Sequence, residues 1–585
     1  MSRRRHEFTP LEACLEGARA LPLTGFSLID VIVGVALLLV VFLALFSILR
    51  ASLALSTLTK AKSAAVELAS TQMEYMRGIS YDALGTVGGI PAGTITQYAT
   101  STVDGVPYTT HTFVEYADDP ADGTGANDTN GITTDYKIGE VTVSYSIYGL
   151  AKSVSLVSNF APPGIETSTG GGTLSLHVVD AGGADLGGAS VRVVNDTLSP
   201  AVDFTTFTNT AGLVTIDGAA TSSAYQIYVS RAGYSSAQTY AHTAQNVNPT
   251  PGYLTIVKNQ TTSATFAIDQ LATLTLSSFA LATTTVFSDA FADASKLASQ
   301  SETAAGGGAL TLASQALSGS ARSVTIAPGY LDGWGILSVA IATTTGTSAV
   351  VHVDDASGTP LPDAVLPGNI AGFSSFPVSL TSIATSSYPA LALEADLTSD
   401  STTTTPALSL WSLSHTEGPA PLPNIAFTLT GTKTIGSDAS STPIYKTIVN
   451  DTTGSAAGKT ETLEWDAYSI ALQGARLIES CPAAPYPLAP ASATTTALLI
   501  GTPTAYALPL LVTDSAGNAV GDAQATLATS GYAATIPASA CGLAYFNGLA
   551  STTYSATVSA PGHTTTVIPS IGVSGNTATT TVILP

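Results

Sequence analysis

Few residues in this 585-residue chain are of a type and spacing that could do chemistry. Asp30 is the single carboxylate within the apolar run Gly25–Leu49, GFSLIDVIVGVALLLVVFLALFSIL. A carboxylate inside a membrane-length helix costs about 2.5 to 3.5 kcal/mol on insertion scales, so its presence calls for a cationic partner. Asp118, Asp119, Asp122, Asp128 and Asp135, with Asn127 and Asn130, gather oxygen donors on a Gly-rich stretch. That is the ligand set a hard cation such as Ca²⁺ prefers, and Asp119, Asp122, Asp128 and Asp135 are the candidate metal ligands. Their spacing is not that of an EF-hand loop, and the competing reading is a solvated, unliganded loop of Asx turns. Cys481 and Cys541 are a candidate disulfide, since a cysteine pair in an oxidising compartment usually closes one. Glu464 and Asp466 flank Trp465 in a strand pattern and read as a solvated pair on one face, not a catalytic dyad. The seven histidines never fall at metal-ligand spacing, and HExxH, GxSxG and a phosphate-binding glycine loop are all missing. No catalytic residue is assigned, and the chain is not expected to be an enzyme.

The element that must position Asp30 is a helix. Val31 to Leu49 are 19 residues without a charge, which at about 1.5 Å rise per residue nearly crosses a hydrocarbon core roughly 30 Å thick. A small residue, Gly25, precedes Phe26 in front of the apolar run, whereas an ordinary secretory signal has its small-residue cleavage site behind it. The stretch resembles the N-terminus of type IV prepilins and minor pseudopilins. The resemblance implies that a prepilin peptidase cuts between Gly25 and Phe26 and methylates the new amino terminus. It also implies that Asp30, where the family normally has glutamate, pairs with the terminal amine of a neighbouring subunit during filament assembly. The leader is charged and lacks an apolar core, and Arg3, Arg4 and Arg5 fit an N-terminus held in the cytoplasm with the bulk of the chain outside. Leu21–Gly25, LPLTG, matches the sortase signal, but sortase substrates carry it near the C-terminus.

Helical periodicity continues beyond the apolar run to about Arg77, with Val66, Ala69, Met73 and Met76 on one face. Alternating runs at Tyr108–Tyr116 and Lys137–Tyr148 predict a small antiparallel sheet against the outer half of that helix. The block is similar to PilV-type minor pilins, some relatives of which bind calcium in a comparable acidic loop.

Charged residues make up only 10% of the chain, and its net charge is −22. Removing the leader takes away four arginines and three glutamates and leaves −23. Such a surface repels phosphate backbones and argues against nucleic-acid binding. The length predicts several modules. Asp180–Val193 aligns with Asp514–Leu527, and Ala224–Tyr234 aligns with Thr553–His563, pairing Gly187 with Gly521, Tyr225 with Tyr554 and Gly233 with Gly562. A looser third copy runs through Phe427–Gly436 and Glu464–Leu472. This repeat resembles the carboxypeptidase regulatory-like, transthyretin-type β-sandwich. Between the copies, Thr283–Gly418 has the length and strand density of a jelly roll, in which Trp334 and Trp411 would be core residues or, alternatively, sugar-stacking platforms.

The expected fold is therefore an α+β pilin module, a long N-terminal helix on a small antiparallel sheet, followed by all-β tandem Ig-like or transthyretin-like sandwiches and a jelly roll. The expected division is a leader at 1–25, the helix at 26–80, a pilin β-module at 81–160 and a linker at 161–172. Regulatory-like sandwiches follow at 173–272, 419–500 and 501–585, with the jelly roll at 273–418. The expected role is a minor pilin or pseudopilin of a type IV pilus or type II secretion-like filament, displaying its sandwiches for adhesion or as a spacer. Its expected partners are the prepilin peptidase, other pilin subunits, the membrane through its helix and a surface or glycan ligand. The alternatives are a membrane-anchored surface adhesion protein outside any filament, and a glycan-binding or glycan-active surface protein.

Overall fold

The computed structural model describes residues 28–121, 123–124, 132–163, 170–502, 504–575 and 579–585, and the backbone but not the side chain of Asp30. One helix, Leu28–Arg77, precedes an otherwise almost all-β chain. Its first half is apolar on every side and exposed from Val31 to Leu49. Its second half buries a narrow stripe, Ala61, Ala65, Ala69, Met73 and Met76, against a four-stranded antiparallel sheet. That sheet runs in chain order through Tyr98–Val103, Val106–Ala117, Tyr136–Ile147 and Leu150–Phe160. Val66, expected on the buried face, is 39% exposed. Alanines at steps of four take its place, because the methyl side chain lets the helix axis approach the sheet more closely than a β-branched one would.

Three of the following sandwiches share one topology. In the first, Gly172–Val179 lies between Leu213–Ala219, antiparallel, and Thr261–Ala267, parallel. The facing sheet is ordered Val202–Phe207, Ser190–Asn195, Ser222–Ser230, Ala237–Gln238. In the last, Leu508–Asp514 lies between Leu543–Phe546, antiparallel, and Thr580–Leu584, parallel. Its facing sheet is ordered Tyr532–Pro537, Gln524–Thr529, Thr552–Ser559, Thr566–Val573. In the middle one, Ala272–Ala280 lies between Gly458–Leu463, antiparallel, and Ala493–Ile500, parallel. Its facing sheet is ordered Ile448–Thr452, Ala426–Gly431, Asp466–Gln473, Tyr486–Leu488.

The middle sandwich is thus discontinuous in sequence. Ala272–Ala280, which a boundary at 273 would give to the jelly roll, is its first strand, and the jelly-roll-like sandwich Thr283–Glu417 is inserted before its second. In the other two sandwiches the same connection is a short Gly turn. Asp180 Oδ1 accepts from Gly182 N at 2.8 Å and Ala184 N at 2.9 Å, and Asp514 Oδ1 accepts from Ala516 N at 2.9 Å and Asn518 N at 2.8 Å. The inserted sandwich packs two sheets around a core that includes Phe291, Trp334 and Trp411.

Candidate functional site

Gly25 and Phe26 lie outside the described residues, as does the side chain of Asp30. The helix that carries Asp30 is long and apolar enough over Val31–Arg77 to cross a membrane by length and composition. Its outer half is fixed to the sheet by polar contacts as well as by packing. Tyr108 Oη donates to Ala61 O at 3.1 Å, and Gln72 Nε2 donates to Thr112 Oγ1 at 3.2 Å. At the end of the helix, Lys137 is buried and its Nζ donates to Tyr81 O at 2.6 Å and Leu84 O at 2.9 Å. Burial lowers its pKa to about 8, and the rings of Tyr81 and Tyr116 lie 4.6 Å and 5.3 Å from the ammonium.

Of the candidate cation ligands, Asp122 and Asp128 lie outside the described residues. Asp135 is buried and its Oδ2 accepts from Asp119 N at 2.6 Å, while Asp119 Oδ1 accepts from Ala121 N at 3.0 Å. Both side chains therefore brace the ends of the loop. Among the described residues no group of three His, Cys, Asp or Glu side chains could hold a metal ion.

The module junctions hold the remaining polar chemistry. Between the four-stranded sheet under the helix and the first sandwich, Asp203 N donates to Gly88 O at 2.8 Å, and Gln97 Nε2 donates to both Val87 O and Asp203 O at 2.7 Å. Gly88 has φ +75°, and a Cβ there would lie 2.8 Å from Asp203 O, so the close approach needs glycine. Phe113 and Phe204 meet across this junction with centroids 5.7 Å apart. Beside them Glu115 is pushed up to about 7 by burial, then by Glu140 and Asp217, and burial raises Asp217 as well.

Between the first and middle sandwiches, residues 246–250 run against the Thr434–Ser437 strand. Val247 N donates to Ser437 O and Thr250 N to Ile435 O, each at 3.0 Å, and Asn246 Nδ2 donates to Ile435 O at 3.0 Å. Next to this seam Glu464, expected as a solvated carboxylate, is only 7% exposed at its side chain. Its Oε2 lies 2.7 Å from Lys446 Nζ and 3.2 Å from Lys433 Nζ, and Thr447 Oγ1 donates to its Oε1 at 2.8 Å. Lys446 Nζ also donates to Ser236 O of the first sandwich at 2.6 Å. Lys433 sits 3.2 Å from the Trp465 ring centroid, and burial lowers its pKa despite the two acids beside it. The strand pattern conceals this because the charge of Glu464 is matched locally by the two lysines, which removes the usual reason for a carboxylate to face water.

Cys481 of the middle sandwich and Cys541 of the last are joined by a disulfide across the third junction. A cavity of about 220 Å³ beside it is walled mainly by Phe279, Leu499, Ile536, Leu543 and Tyr545, with Glu479 raised by burial at its edge. Trp334 and Trp411 are 1% and 0% exposed, so neither presents a face to a sugar. Trp334 Nε1 donates to Tyr388 O at 2.9 Å, and Trp411 packs on Phe291 at 5.2 Å between centroids.

Comparison of the sequence with protein families finds no match, and comparison with curated proteins finds none either. Among solved structures, the TIE protein of Bacillus anthracis aligns at 9% identity and TM-score 0.16, over 77% of this chain and 59% of that one. This chain thus spans less than two thirds of that protein. BcpA, the major pilin subunit of Bacillus cereus, aligns at 9% identity and TM-score 0.13, over 71% of this chain and 99% of that one. The shaft pilin SpaA of Lactobacillus rhamnosus GG aligns at 13% identity and TM-score 0.12, over 28% and 88%. At these TM-scores the likenesses carry no argument about how this chain folds or what it does.

Proposed function

We propose that this protein is a minor pilin or pseudopilin, inserted in the membrane by its N-terminal helix and holding a stack of β-sandwiches outside the cell for adhesion or as a spacer. The observation that carries the reading is the division of one helix into two halves. The stretch from Val31 to Leu49 is uncharged, apolar and exposed on all sides, and the half from Ala61 to Met76 is seated on a four-stranded sheet. A helix whose exposed half is unsuited to water needs lipid or other helices around it, and a filament of such subunits supplies both in turn. Asp30, at the start of that half, would neutralise the terminal amine freed at Phe26 on a neighbouring subunit. The mass carried beyond the pilin sheet would crowd a repeating shaft, which favours a tip or sparse position.

Mass spectrometry of the native N-terminus tests the reading. An N-methylated Phe26 is expected, and an intact Met1 would leave a plain membrane-anchored surface protein. Asp30→Ala is expected to abolish co-purification with filament subunits while leaving membrane insertion intact, and unchanged co-purification would refute the assigned role of the carboxylate.

A further inference from the structure

In each of the three like sandwiches, the strand by which the chain enters is paired in parallel with the strand by which it leaves. The pairs are Gly172–Val179 with Thr261–Ala267, Ala272–Ala280 with Ala493–Ile500, and Leu508–Asp514 with Thr580–Leu584. In a parallel ladder the entry and exit points lie at opposite ends. Tension between them runs along the strands and loads every hydrogen bond of the ladder together.

The inserted sandwich is connected the opposite way. Its first strand, Thr283–Asp289, and its last, Ala407–Glu417, are antiparallel, and Thr283 faces Glu417. The chain enters and leaves at that one end. Tension applied there would open the ladder one bond after another, starting from the Thr283 and Glu417 pair, so this sandwich offers far less resistance to pulling than the other three.

Its two ends are nevertheless gathered inside the middle sandwich. Ala280 N donates to Ala420 O at 2.8 Å, Leu422 N donates to Ser278 O at 2.9 Å, and Ser278 Oγ donates to Leu422 O at 2.7 Å. Tension arriving at Ala272 is handed across the parallel ladder, from Thr273 opposite Ala493 to Ala280 opposite Ile500. While that ladder holds, no load reaches Thr283 or Glu417 along the chain.

We infer that the chain is a tension-bearing element, in which the parallel ladder of the middle sandwich shields the inserted sandwich from load. This goes beyond the filament reading and does not depend on it. It requires only that the chain be held by its helix and pulled from its far end.

Pulling the full-length chain in detergent between tags at its two termini tests this in an optical trap. The inserted sandwich holds about 135 residues, which release about 49 nm at about 3.6 Å per residue. That length is expected only at or after rupture of the middle sandwich. A step of that length at lower force, ahead of any other sandwich, overturns the inference. A second arm joins the facing ends of the insert through Thr283→Cys with Glu417→Cys. The rupture force of the middle sandwich is expected to stay the same while the released length falls by nearly the whole 49 nm. A rupture force that rises on crosslinking would mean that the insert had been carrying load, which also overturns it.

Discussion

Glu464 binds two lysines and a threonine at a place where three chain segments meet, and removing its charge has a defined consequence. Glu464→Gln keeps the volume but leaves Lys446 without its carboxylate and Lys433 with only Asp466 beside it. The loss is expected to be about 3 kcal/mol, because the cost of an uncompensated charge exceeds the net worth of the pair that held it. Trp465, stacked under Lys433, is the local fluorescence probe for measuring the lowered denaturation midpoint. Glu115 gives a pH prediction of defined sign. Its folded pKa is raised from 4.5 to about 7, so the folded state holds the proton more tightly than the unfolded one. The contribution of this group to stability is therefore complete below pH 4.5, falls as pH rises to about 7, and stays lost above that. Asp332 and Asp354, also raised to about 7, add slopes of the same sign elsewhere. The informative quantity is thus the difference between wild type and Glu115→Gln. The variant is expected to be the more stable at pH 7.5, with the gap closing towards pH 4.5, and melting curves across that range read it directly.

Among the strands, one aromatic residue marks the repeat in all three copies. Tyr225 Oη donates to Ala220 O at 2.9 Å, Tyr468 Oη to Glu464 O at 3.0 Å, and Tyr554 Oη to Ala550 O at 3.3 Å. Each ring is buried, and each hydroxyl ties its strand to the corner four or five residues upstream, as in the tyrosine corner of other β-sandwiches. Phenylalanine at any of the three is expected to cost about 1 kcal/mol by leaving the corner carbonyl a partner short, measurable as a shift of that sandwich's unfolding midpoint. The repeat is legible in the sequence because these tyrosines and the Gly turns are local signals. The position of the insert is not. The parallel partner of Ala272–Ala280 is Ala493–Ile500, and no local pattern couples strands so far apart. The helix is legible in extent, whereas its buried face departs from the periodic pattern at Val66, because apolar character alone does not report how closely a backbone must approach. The crossing ends of the insert supply a direct check. Replacing Leu281–Pro421 with a short Gly turn copied from Asp180–Gly188 is expected to leave the middle sandwich folded, with the cooperative Trp465 transition retained, because Ser278 and Leu422 already meet.

For the molecule as a whole, the junctions decide whether the sandwiches behave as separate beads or as one jointed rod. The first two junctions are made by backbone and side-chain hydrogen bonds, an aromatic contact and one ion cluster, and the third carries a disulfide. The Cys481–Cys541 disulfide closes a loop with a sequence separation of 60, which includes the last strand of the middle sandwich and the first half of the terminal one. Constraining a loop of that length in the unfolded chain corresponds to about 4 kcal/mol in the chain-entropy account. Because the loop contains elements of both sandwiches, the stabilisation belongs to neither alone, and opening one sandwich leaves the other tethered to it. Cys481→Ser with Cys541→Ser is therefore expected to lower the melting temperature of the middle and terminal sandwiches together, by about 8 to 16 °C for a unit of their combined size. The first sandwich and the four-stranded sheet under the helix lie outside the loop, and their amide-exchange protection is expected to stay unchanged. A loss confined to the terminal sandwich would mean that the crosslink stiffens one module and does not join two.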